Sequence, residues 1–317
     1  MKKEDIRIVF MGTPDFAVAN LKALVEAKYN IVGVITAPDK PAGRGRKLNQ
    51  SAVKTFALSK NLNILQPSNL KNEDFLRELK SLGANLQVVV AFRMLPEVVW
   101  AMPKYGTFNL HASLLPNYRG AAPIHWAIIN GETRTGVTTF FIDEKIDTGA
   151  VILQDEIAIQ PDETVGTLHD RLMHLGSKLV IKTIDHIQKG NVQTSVQPKS
   201  GHLKTAYKLH NDNCKIDWTQ DAKSIYNKIR GLNPFPAAWC YLKNGEDKLR
   251  VKIYGVEIID EPNGDDYGKI ETTKAELKVS AKNGCISIKE IQLPGKRKMK
   301  VTDLLNGYKF ETDAKFL

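Results

Sequence analysis

Apolar, β-branched runs alternate with helical patterns in the first third of the chain. The runs cover residues 6–11, 31–36 and 86–91, and an amphipathic stretch over residues 16–27 separates the first two. Continuous apolar runs of this length are typical of strands buried on both faces. A strand, a helix and a second strand in succession predict a right-handed crossover. We therefore predict an α/β fold with a Rossmann-like, mostly parallel sheet in the N-terminal domain.

The length and the later pattern predict two domains. At 317 residues the chain exceeds the usual size of one compact core. We assign residues 1–188 to a catalytic domain that ends with a long amphipathic helix over residues 165–188. Residues 189–210 are polar and weakly patterned, which is typical of a linker. Short alternating runs between turn signals then predict a smaller C-terminal β-barrel (OB-like) domain over residues 211–317.

Composition excludes several classes of protein. The longest apolar run, residues 86–92, is too short to span a bilayer, and no secretory signal pattern precedes the first strand. We expect a cytoplasmic protein and a monomer. Cys214, Cys240 and Cys285 match no zinc or redox spacing and are expected to be free thiols. The 7 histidines form no convincing ligand set with nearby acids or cysteines, so we predict no metal.

The charge distribution favours a polyanionic partner. The net charge is +10, and basic residues cluster at residues 40–47 and 296–300. Such clusters favour nucleic acid. The first cluster lies in P-D-K-P-A-G-R-G-R-K, where proline and glycine surround Arg44, Arg46 and Lys47. Arginine can bind phosphate through two parallel hydrogen bonds. The alternative is a solvated, mobile loop without a ligand.

Asn109, His111 and Asp147 are the candidate catalytic residues. A strand predicted over residues 106–110 delivers His111 to its carboxyl end, where open α/β sheets bind ligands. The three side chains suit addition to a carbonyl. Asn109 can donate to a developing oxyanion, His111 can donate or relay a proton, and Asp147 can accept a proton from an attacking amine.

The same residues also have a structural explanation. Asn and Asp are common turn formers, and a histidine at a strand end is more often structural than catalytic. Spacing alone does not establish whether the three side chains meet. No G-x-S-x-G elbow is present, and Ser113 lies in a Leu-Leu-Pro context. We therefore expect direct transfer rather than a covalent enzyme intermediate.

Several motifs in the chain occur together in one known family. N-L-H-A-S-L-L-P-N-Y-R-G-A-A-P at residues 109–123, with D-E-K-I-D-T-G at 143–149, resembles the signature of the folate-dependent formyltransferases. The branch of that family that formylates methionyl-tRNA is the narrower resemblance. It rests on G-T-P-D-F-A at 12–17, P-D-K-P-A-G-R-G-R-K-L at 38–48, and the I-D-W and I-R-G-L-N-P-F-P-A-A-W motifs within 216–239. The resemblance spans nearly the full length.

The resemblance implies a reaction, its substrates and a set of site residues. The reaction is transfer of a formyl group from the co-substrate 10-formyltetrahydrofolate to the free amino group of methionyl-initiator tRNA, for translation initiation. The C-terminal domain would bind tRNA. The implied catalytic residues are Asn109, His111 and Asp147, the folate-binding residues are Ser113, Leu114, Leu115 and Pro116, and the tRNA-binding residues are Arg44, Arg46 and Lys47.

One segment departs from the family pattern. Where the family carries V-A-Y-G-x-I-L-P, residues 90–96 read V-A-F-R-M-L-P, one residue shorter and with Arg93 in place of the glycine. Because this segment lines the folate pocket in the family, we expect a pocket of altered shape.

Three alternatives remain open. They are a folate-dependent formyltransferase acting on a glycinamide ribonucleotide or an amino sugar, an RNA-binding module on an inactive enzyme fold, and an NAD-binding protein. The basic loop disfavours the first, and the presence of all three candidate catalytic residues disfavours the second. The missing G-x-G-x-x-G after the first strand disfavours the third.

Overall fold

Two compact units make up the chain. The computed structural model describes residues 2–42, 47–198, 201–261 and 266–317. The first unit comprises Met1–Gly120, Thr135–Ile157 and His169–Thr205, and the second comprises Ala121–Arg134, Ala158–Leu168 and Ala206–Leu317. The domain boundaries predicted at residues 188 and 211 place two of these segments differently and remain a prediction.

Strands and helices are interspersed up to residue 206. The strands are β1 (Arg7–Gly12), β2 (Asn30–Ile35), β3 (Lys40–Ala42), β4 (Lys47–Asn49), β5 (Ile64–Leu65), β6 (Leu86–Val90), β7 (Thr107–His111), β8 (Arg119–Gly120), β9 (Arg134–Phe141), β10 (Val151–Ala158) and β11 (Thr205–Ala206). The helices are α1 (Asp15–Glu26), α2 (Ala52–Ser59), α3 (Glu73–Ser81), α4 (Glu97–Trp100), α5 (Pro123–Ile129) and α6 (Val165–Lys189). Among the described residues, no helix is long and apolar enough to cross a membrane.

A seven-stranded sheet organises the first unit, in the order β10-β9-β7-β6-β1-β2-β5. Strand β1 pairs in parallel with β2 and β6, and β7 pairs in parallel with β6 and antiparallel with β9. Because β1, β6 and β7 are parallel, their carboxyl ends form one edge of the sheet. The strand order reverses beside β1, and doubly wound sheets bind ligands at the carboxyl edge near such a reversal. The predicted Rossmann-like, mostly parallel sheet is confirmed.

The second unit is built on a nearly closed antiparallel barrel. Its elements after residue 206 are α7 (Ala222–Leu232), β12 (Ala238–Asn244), β13 (Asp247–Ile259), β14 (Ile270–Thr272), β15 (Leu277–Ala281), β16 (Gly284–Gln292), β17 (Met299–Lys300), α8 (Val301–Leu305) and β18 (Lys315–Phe316). The strand order is β14-β15-β16-β13-β12-β18, with β17 paired to β16. An antiparallel bridge between Lys269 and Lys315 brings the two ends of this order together. The predicted C-terminal barrel is confirmed.

Aromatic and aliphatic side chains fill the barrel. Trp218, from the I-D-W motif, stacks on Phe316 with a ring-centroid distance of 5.4 Å. Ile229 of α7 and Ile253 of β13 are fully buried in the same cluster. Burial of such side chains contributes about 1.5–3 kcal/mol each. This core closes the end of the chain onto the helix that follows the I-D-W motif.

Helix α7 begins with a capping interaction that we expect to stabilise the second unit. The Asp221 side chain accepts hydrogen bonds from the Ser224 hydroxyl at 2.6 Å and the Ser224 backbone N–H at 2.9 Å. These bonds hold the pKa of Asp221 below its ordinary value. Since the folded-state pKa is lowered, the stabilisation is present above the unfolded value of about 4 and is lost as pH falls through the folded value.

Asp221→Ala should lower the free energy of unfolding by about 1 kcal/mol at pH 7. The difference from the parent should shrink below about pH 4, because the parent then loses the charge of its cap. Urea unfolding followed by tryptophan fluorescence measures both values. Asp221→Asn is the matched control, since it keeps an acceptor oxygen without a titrating group and should match the parent at pH 7. Equal stability of Asp221→Ala and the parent at pH 7 would contradict the capping role.

Candidate functional site

Strand β7 directs Asn109 and His111 to one face of the sheet. Residues two apart in a strand share a face, so the intervening Leu110 points to the other side. Leu110 there contacts α6 at Gly176, where a Cβ atom would lie only 2.7 Å from Leu110 Cδ2. Asn109 and His111 therefore lie on the face of the sheet opposite α6. Asn109 is half-buried, and His111 is 6% exposed.

The loop after β7 is held by side chains from the neighbouring strands. Thr138, which pairs with His111 across the sheet, donates its hydroxyl to the Ser113 carbonyl at 2.6 Å and accepts from the Leu115 N–H at 3.1 Å. Gln154 of β10 donates to the Leu115 carbonyl at 2.8 Å. These bonds satisfy backbone groups that no ladder satisfies. The loop is consequently fixed relative to Asn109 and His111.

Asp147 approaches the same place from the turn between β9 and β10. Its Oδ2 atom lies 3.7 Å from His111 Nδ1, and the two side chains are 15% and 7% exposed. Asp147 has a positive φ of 55°, a conformation that Asp tolerates better than most residues. Gly149 follows in a position where a Cβ atom would lie 1.7 Å from the Phe141 carbonyl oxygen. The turn therefore needs glycine at residue 149 to pass so close to β9.

Three consecutive residues of the loop bind both members of this pair. We call Tyr118, Arg119 and Gly120 the strap. The Tyr118 carbonyl lies 2.7 Å from His111 Nε2, and the Gly120 N–H donates to Asp147 Oδ2 at 2.9 Å. The strap thus orients the imidazole and the carboxylate through two backbone groups, which have little freedom of their own.

The contact with Tyr118 assigns the His111 tautomer. A carbonyl oxygen only accepts hydrogen bonds, so Nε2 must carry a hydrogen in both the neutral and the charged ring. Proton exchange at His111 is therefore left to Nδ1, the atom that faces Asp147. At 3.7 Å the two atoms are too far apart for a direct hydrogen bond but within the distance of an ion pair.

Asn109 completes the arrangement on the same strand face. Among the residues that the structure describes, none hydrogen-bonds to its side-chain amide. A half-buried amide with spare donors beside a histidine and a carboxylate can stabilise negative charge on an oxygen. The structure brings His111 and Asp147 together and places Asn109 beside His111. The catalytic roles of the three residues remain a prediction.

The predicted folate-binding residues divide into two groups. Ser113 is 0% exposed, and its hydroxyl donates to the Asn117 carbonyl at 2.7 Å. Leu115 packs in a buried cluster with Phe140 and Val151. Leu114 and Pro116 are partly exposed. Direct ligand contact by side chains is thus open to Leu114 and Pro116, whereas Ser113 and Leu115 support the loop from beneath. Folate binding by all four remains a prediction.

Arg93, in the atypical segment over residues 90–96, makes hydrogen bonds that give it a structural role. Its guanidinium donates to the carbonyls of Ser68, at 2.8 Å, and Pro67. The same group lies 5.6 Å from the centroid of the Phe92 ring. Arg93 therefore ties residues 90–96 to the chain after β5. The altered shape of the folate pocket remains a prediction.

The predicted tRNA-binding residues lie in or beside a part of the chain that is not described. Arg44 and Arg46 fall outside the described residues, and Lys47 begins β4, which pairs with β3 as a short antiparallel ribbon. Beside this ribbon, Asp39 pairs with Lys54 of α2 at 2.5 Å and accepts from Gln66 at 2.9 Å. These bonds hold the pKa of Asp39 below its ordinary range. Residue 39 is therefore fixed to α2.

The sequence interpretation did not assign roles to several residues at the site. Tyr118, Gly120, Thr138 and Gln154 were not singled out, and Gln197 lies in the segment interpreted as a linker. Tyr118 and Gly120 lie within the motif at residues 109–123 that carries the family resemblance, but no role was assigned to either residue. Among the described residues, no group of three or more His, Cys, Asp or Glu side chains is arranged to hold a metal.

Comparison with known proteins matches both halves of the chain. The family described as Formyl transferase matches residues 6–184, and Formyl transferase, C-terminal domain, matches residues 208–309. A relative from Flavobacterium johnsoniae named methionyl-tRNA formyltransferase is 61% identical over 98% of this chain and 99% of its own. One of the same name from Bacteroides fragilis is 53% identical over 97% of each chain.

A solved structure shares the fold. It is the N-formyltransferase from Helicobacter canadensis in complex with folinic acid and dTDP-3-aminofucose. The TM-score is 0.64 at 21% identity, and the match covers 93% of this chain and all of the other. At this level of identity the likeness concerns the fold alone.

Asp147→Asn tests the carboxylate with little change in structure. Asn tolerates a positive φ and keeps an oxygen that can accept from Gly120, so the turn should persist. We expect the formyl transfer implied by the sequence to fall by about 10²–10⁴-fold, because the variant lacks a proton acceptor. Single-turnover kinetics measure the loss, and thermal unfolding confirms the fold. Turnover close to that of the parent would remove Asp147 from the chemistry.

Proposed function

The chain belongs to the formyl transferase family, and from that premise we propose that it is a methionyl-tRNA formyltransferase. It transfers the formyl group of 10-formyltetrahydrofolate to the free amino group of methionine carried by initiator tRNA. The product is N-formylmethionyl-tRNA for translation initiation. The observation that carries the proposal is the 61% identity to a relative of that name over 98% of this chain, which includes both units.

The positions of Asn109 and His111 support stabilisation of the adduct. When the amine nitrogen bonds to the formyl carbon, negative charge develops on the formyl oxygen. The Asn109 amide and Nδ1–H of charged His111 are the donors that this oxygen requires. Loss of one such donor typically costs about 3–4 kcal/mol of transition-state stabilisation. Because Nε2 is held by Tyr118, His111 needs no reorientation to present Nδ1.

We propose that Asp147 moves the proton. An α-amino group has a pKa of about 8, so about one-tenth is neutral and nucleophilic at pH 7. Asp147 takes a proton from the attacking amine and passes it to N10 of the folate as the bond from the formyl carbon to N10 breaks, so one proton moves in net from the amine to the leaving nitrogen. The Gly120 N–H stabilises the carboxylate charge before the reaction begins.

The candidate serine and cysteine nucleophiles of the chain are poorly suited to attack, which supports direct transfer without a covalent enzyme intermediate. The Ser113 hydroxyl is buried and donates to a carbonyl, with no histidine bonded to it. Of the three cysteines, Cys214 and Cys240 are buried. Burial raises the pKa of Cys240 to about 12, which keeps it a thiol. The amine of the substrate is therefore the nucleophile that attacks the formyl carbon.

The second unit carries a surface suited to nucleic acid. On β12, Trp239 and Tyr241 lie edge to face, with ring centroids 5.3 Å apart. Arg250 lies 4.1 Å from the Trp239 ring, and Lys248 lies 4.6 Å from the Tyr241 ring. Trp239 is 5% exposed and packs in the barrel core, so the groups open to a ligand are the exposed Arg250 and Lys248 and the partly exposed Tyr241 ring. Exposed positive groups bind phosphates, and an accessible aromatic ring can stack on a base. This surface and the net charge of +10 support a tRNA partner. A cytoplasmic location follows from the proposed substrate, and a monomeric state remains a prediction.

The direct test is an assay of the purified chain with 10-formyltetrahydrofolate and four acceptors. They are methionyl-initiator tRNA, methionyl-elongator tRNA, a glycinamide ribonucleotide and a dTDP-linked amino sugar. The proposal requires formylation of the initiator tRNA above all others. Preferred formylation of the ribonucleotide or the sugar would assign a different formyltransferase activity. Binding of tRNA without transfer to any acceptor would identify an inactive enzyme fold that binds RNA.

Arg44→Ala should raise KM for methionyl-tRNA about tenfold or more, because it removes a phosphate contact. The KM for the formyl donor should change little. Arg77→Ala is the matched control. It removes the same charge from α3, where Arg77 is 77% exposed and pairs with Asp74 on its own helix. Steady-state kinetics at two salt concentrations measure both variants. Equal KM values for the two variants would contradict a specific tRNA contact at residue 44.

A further inference from the structure

We propose that Gln197 is a positioning residue that holds the Asp147 turn in its reactive shape. The inference rests on the proposed function, because the reaction it serves is the transfer described above. Gln197 belongs to the segment after α6, far from the catalytic motifs in sequence. It is 5% exposed, so its amide must satisfy all of its hydrogen bonds within the protein.

The Gln197 amide nitrogen binds both sides of the turn. Nε2 donates to the Asp147 carbonyl at 3.0 Å and to the Gly149 carbonyl at 2.8 Å. A primary amide has only two N–H groups, so both are used on this turn. The two carbonyls flank Thr148, and one side chain therefore sets the separation between them. The carboxylate of Asp147 extends from the same turn toward His111.

Arg119 fixes the orientation of the same amide. Gln197 Oε1 accepts from Arg119 Nη2 at 2.7 Å and from Nε at 3.1 Å. Because arginine only donates, the oxygen of the amide must face Arg119 and the nitrogen must face the turn. A charged donor on the oxygen also polarises the amide and strengthens its N–H groups as donors.

The backbone that carries Gln197 is itself secured to the sheet. Ser195 N–H donates to the Val151 carbonyl at 2.9 Å, and Val151 N–H donates to the Ser195 carbonyl at 2.8 Å. Val151 is the first residue of β10, two residues beyond Gly149. Gln197 is consequently fixed to the strand that follows the turn, and its side chain spans back over residues 147–149.

The backbone conformation of the turn is strained at Asp147, so the hydrogen bonds from Gln197 help to hold it. Asp147 adopts φ 55°, which costs a non-glycine residue about 1–2 kcal/mol. Thr148, between the two carbonyls, donates its hydroxyl to Asp143 at 2.8 Å, which ties it to the start of the turn, and Ile146 is exposed. At the end that faces His111, the backbone of the turn is held by Gln197. A displacement of about 1 Å at a catalytic group can cost about 10²-fold in rate.

The strap acts on the turn through two routes. Gly120 N–H binds the carboxylate of Asp147 directly, whereas Arg119 acts on the backbone of the turn through Gln197. The two routes begin at Gly120 and Arg119, which are adjacent in the chain. Arg119 also follows Tyr118, whose carbonyl contacts His111. The network therefore sets the separation between His111 Nδ1 and Asp147 Oδ2 from one short segment. Loss of Gln197 removes the backbone route and leaves the carboxylate route intact.

Two variants of Gln197 test this assignment. Gln197→Glu keeps an acceptor for Arg119 but has no N–H for the turn, and Gln197→Met keeps the length of the side chain without either function. Gln87→Leu is the matched control, because Gln87 is a buried glutamine of β6 that accepts from Thr107 at 2.9 Å. Single-turnover rates, KM for both substrates and thermal unfolding are measured for each variant beside the parent.

Both Gln197 variants should lose about 10- to 100-fold in the single-turnover rate, with KM values within about twofold of the parent. Gln87→Leu should lower the unfolding temperature and leave the rate unchanged. A parental rate in either folded Gln197 variant would overturn the inference, since retention in Glu alone would show that the Arg119 contact suffices. Retention in Met alone would show that the loss comes from the added charge. An inactive parent would instead contradict the proposed function.

Discussion

The hydrogen bond from the Gly120 N–H to the Asp147 carboxylate joins the two halves of the site. One partner belongs to the loop that follows β7, and the other belongs to a turn between β9 and β10. This 2.9 Å contact orients the carboxylate toward His111, while Gln197 holds the backbone of the same turn. A backbone donor is well suited to the task, because it carries no charge of its own to compete for the proton. The pairing of β7 with β9 brings the loop and the turn within reach of one another.

The chemistry that we propose depends on how little these groups must move. Tyr118 assigns the hydrogen on His111 Nε2, so Nδ1 is the atom left for proton exchange. Asp147 faces that atom at 3.7 Å, and Asn109 shares the strand face. Donors and acceptors that are oriented before the substrates arrive require no reorganisation during the reaction. A direct transfer between two substrates, with no enzyme nucleophile, relies on this preorganisation.

Local patterns in the sequence predicted the parts of the molecule that are locally determined. Apolar runs predicted the parallel strands, and the resemblance predicted the family, which the comparisons confirm. The barrel was predicted from short alternating runs and is also confirmed. Local patterns did not predict the contacts between segments that are distant in the sequence. Gln197 lies in a stretch without hydrophobic periodicity. Its role depends on hydrogen bonds from one side chain to two distant carbonyls rather than on a buried face, so no sequence pattern predicts it.

A crystal structure with a non-reacting analogue of 10-formyltetrahydrofolate would test the central claim most directly. The claim is that Asn109, His111 and Asp147 surround the formyl group. The account predicts that the formyl oxygen lies about 3 Å from the Asn109 amide nitrogen and from His111 Nδ1, with Asp147 facing the formyl carbon from the side open to the amine. A formyl oxygen that contacts neither Asn109 nor His111 would contradict it.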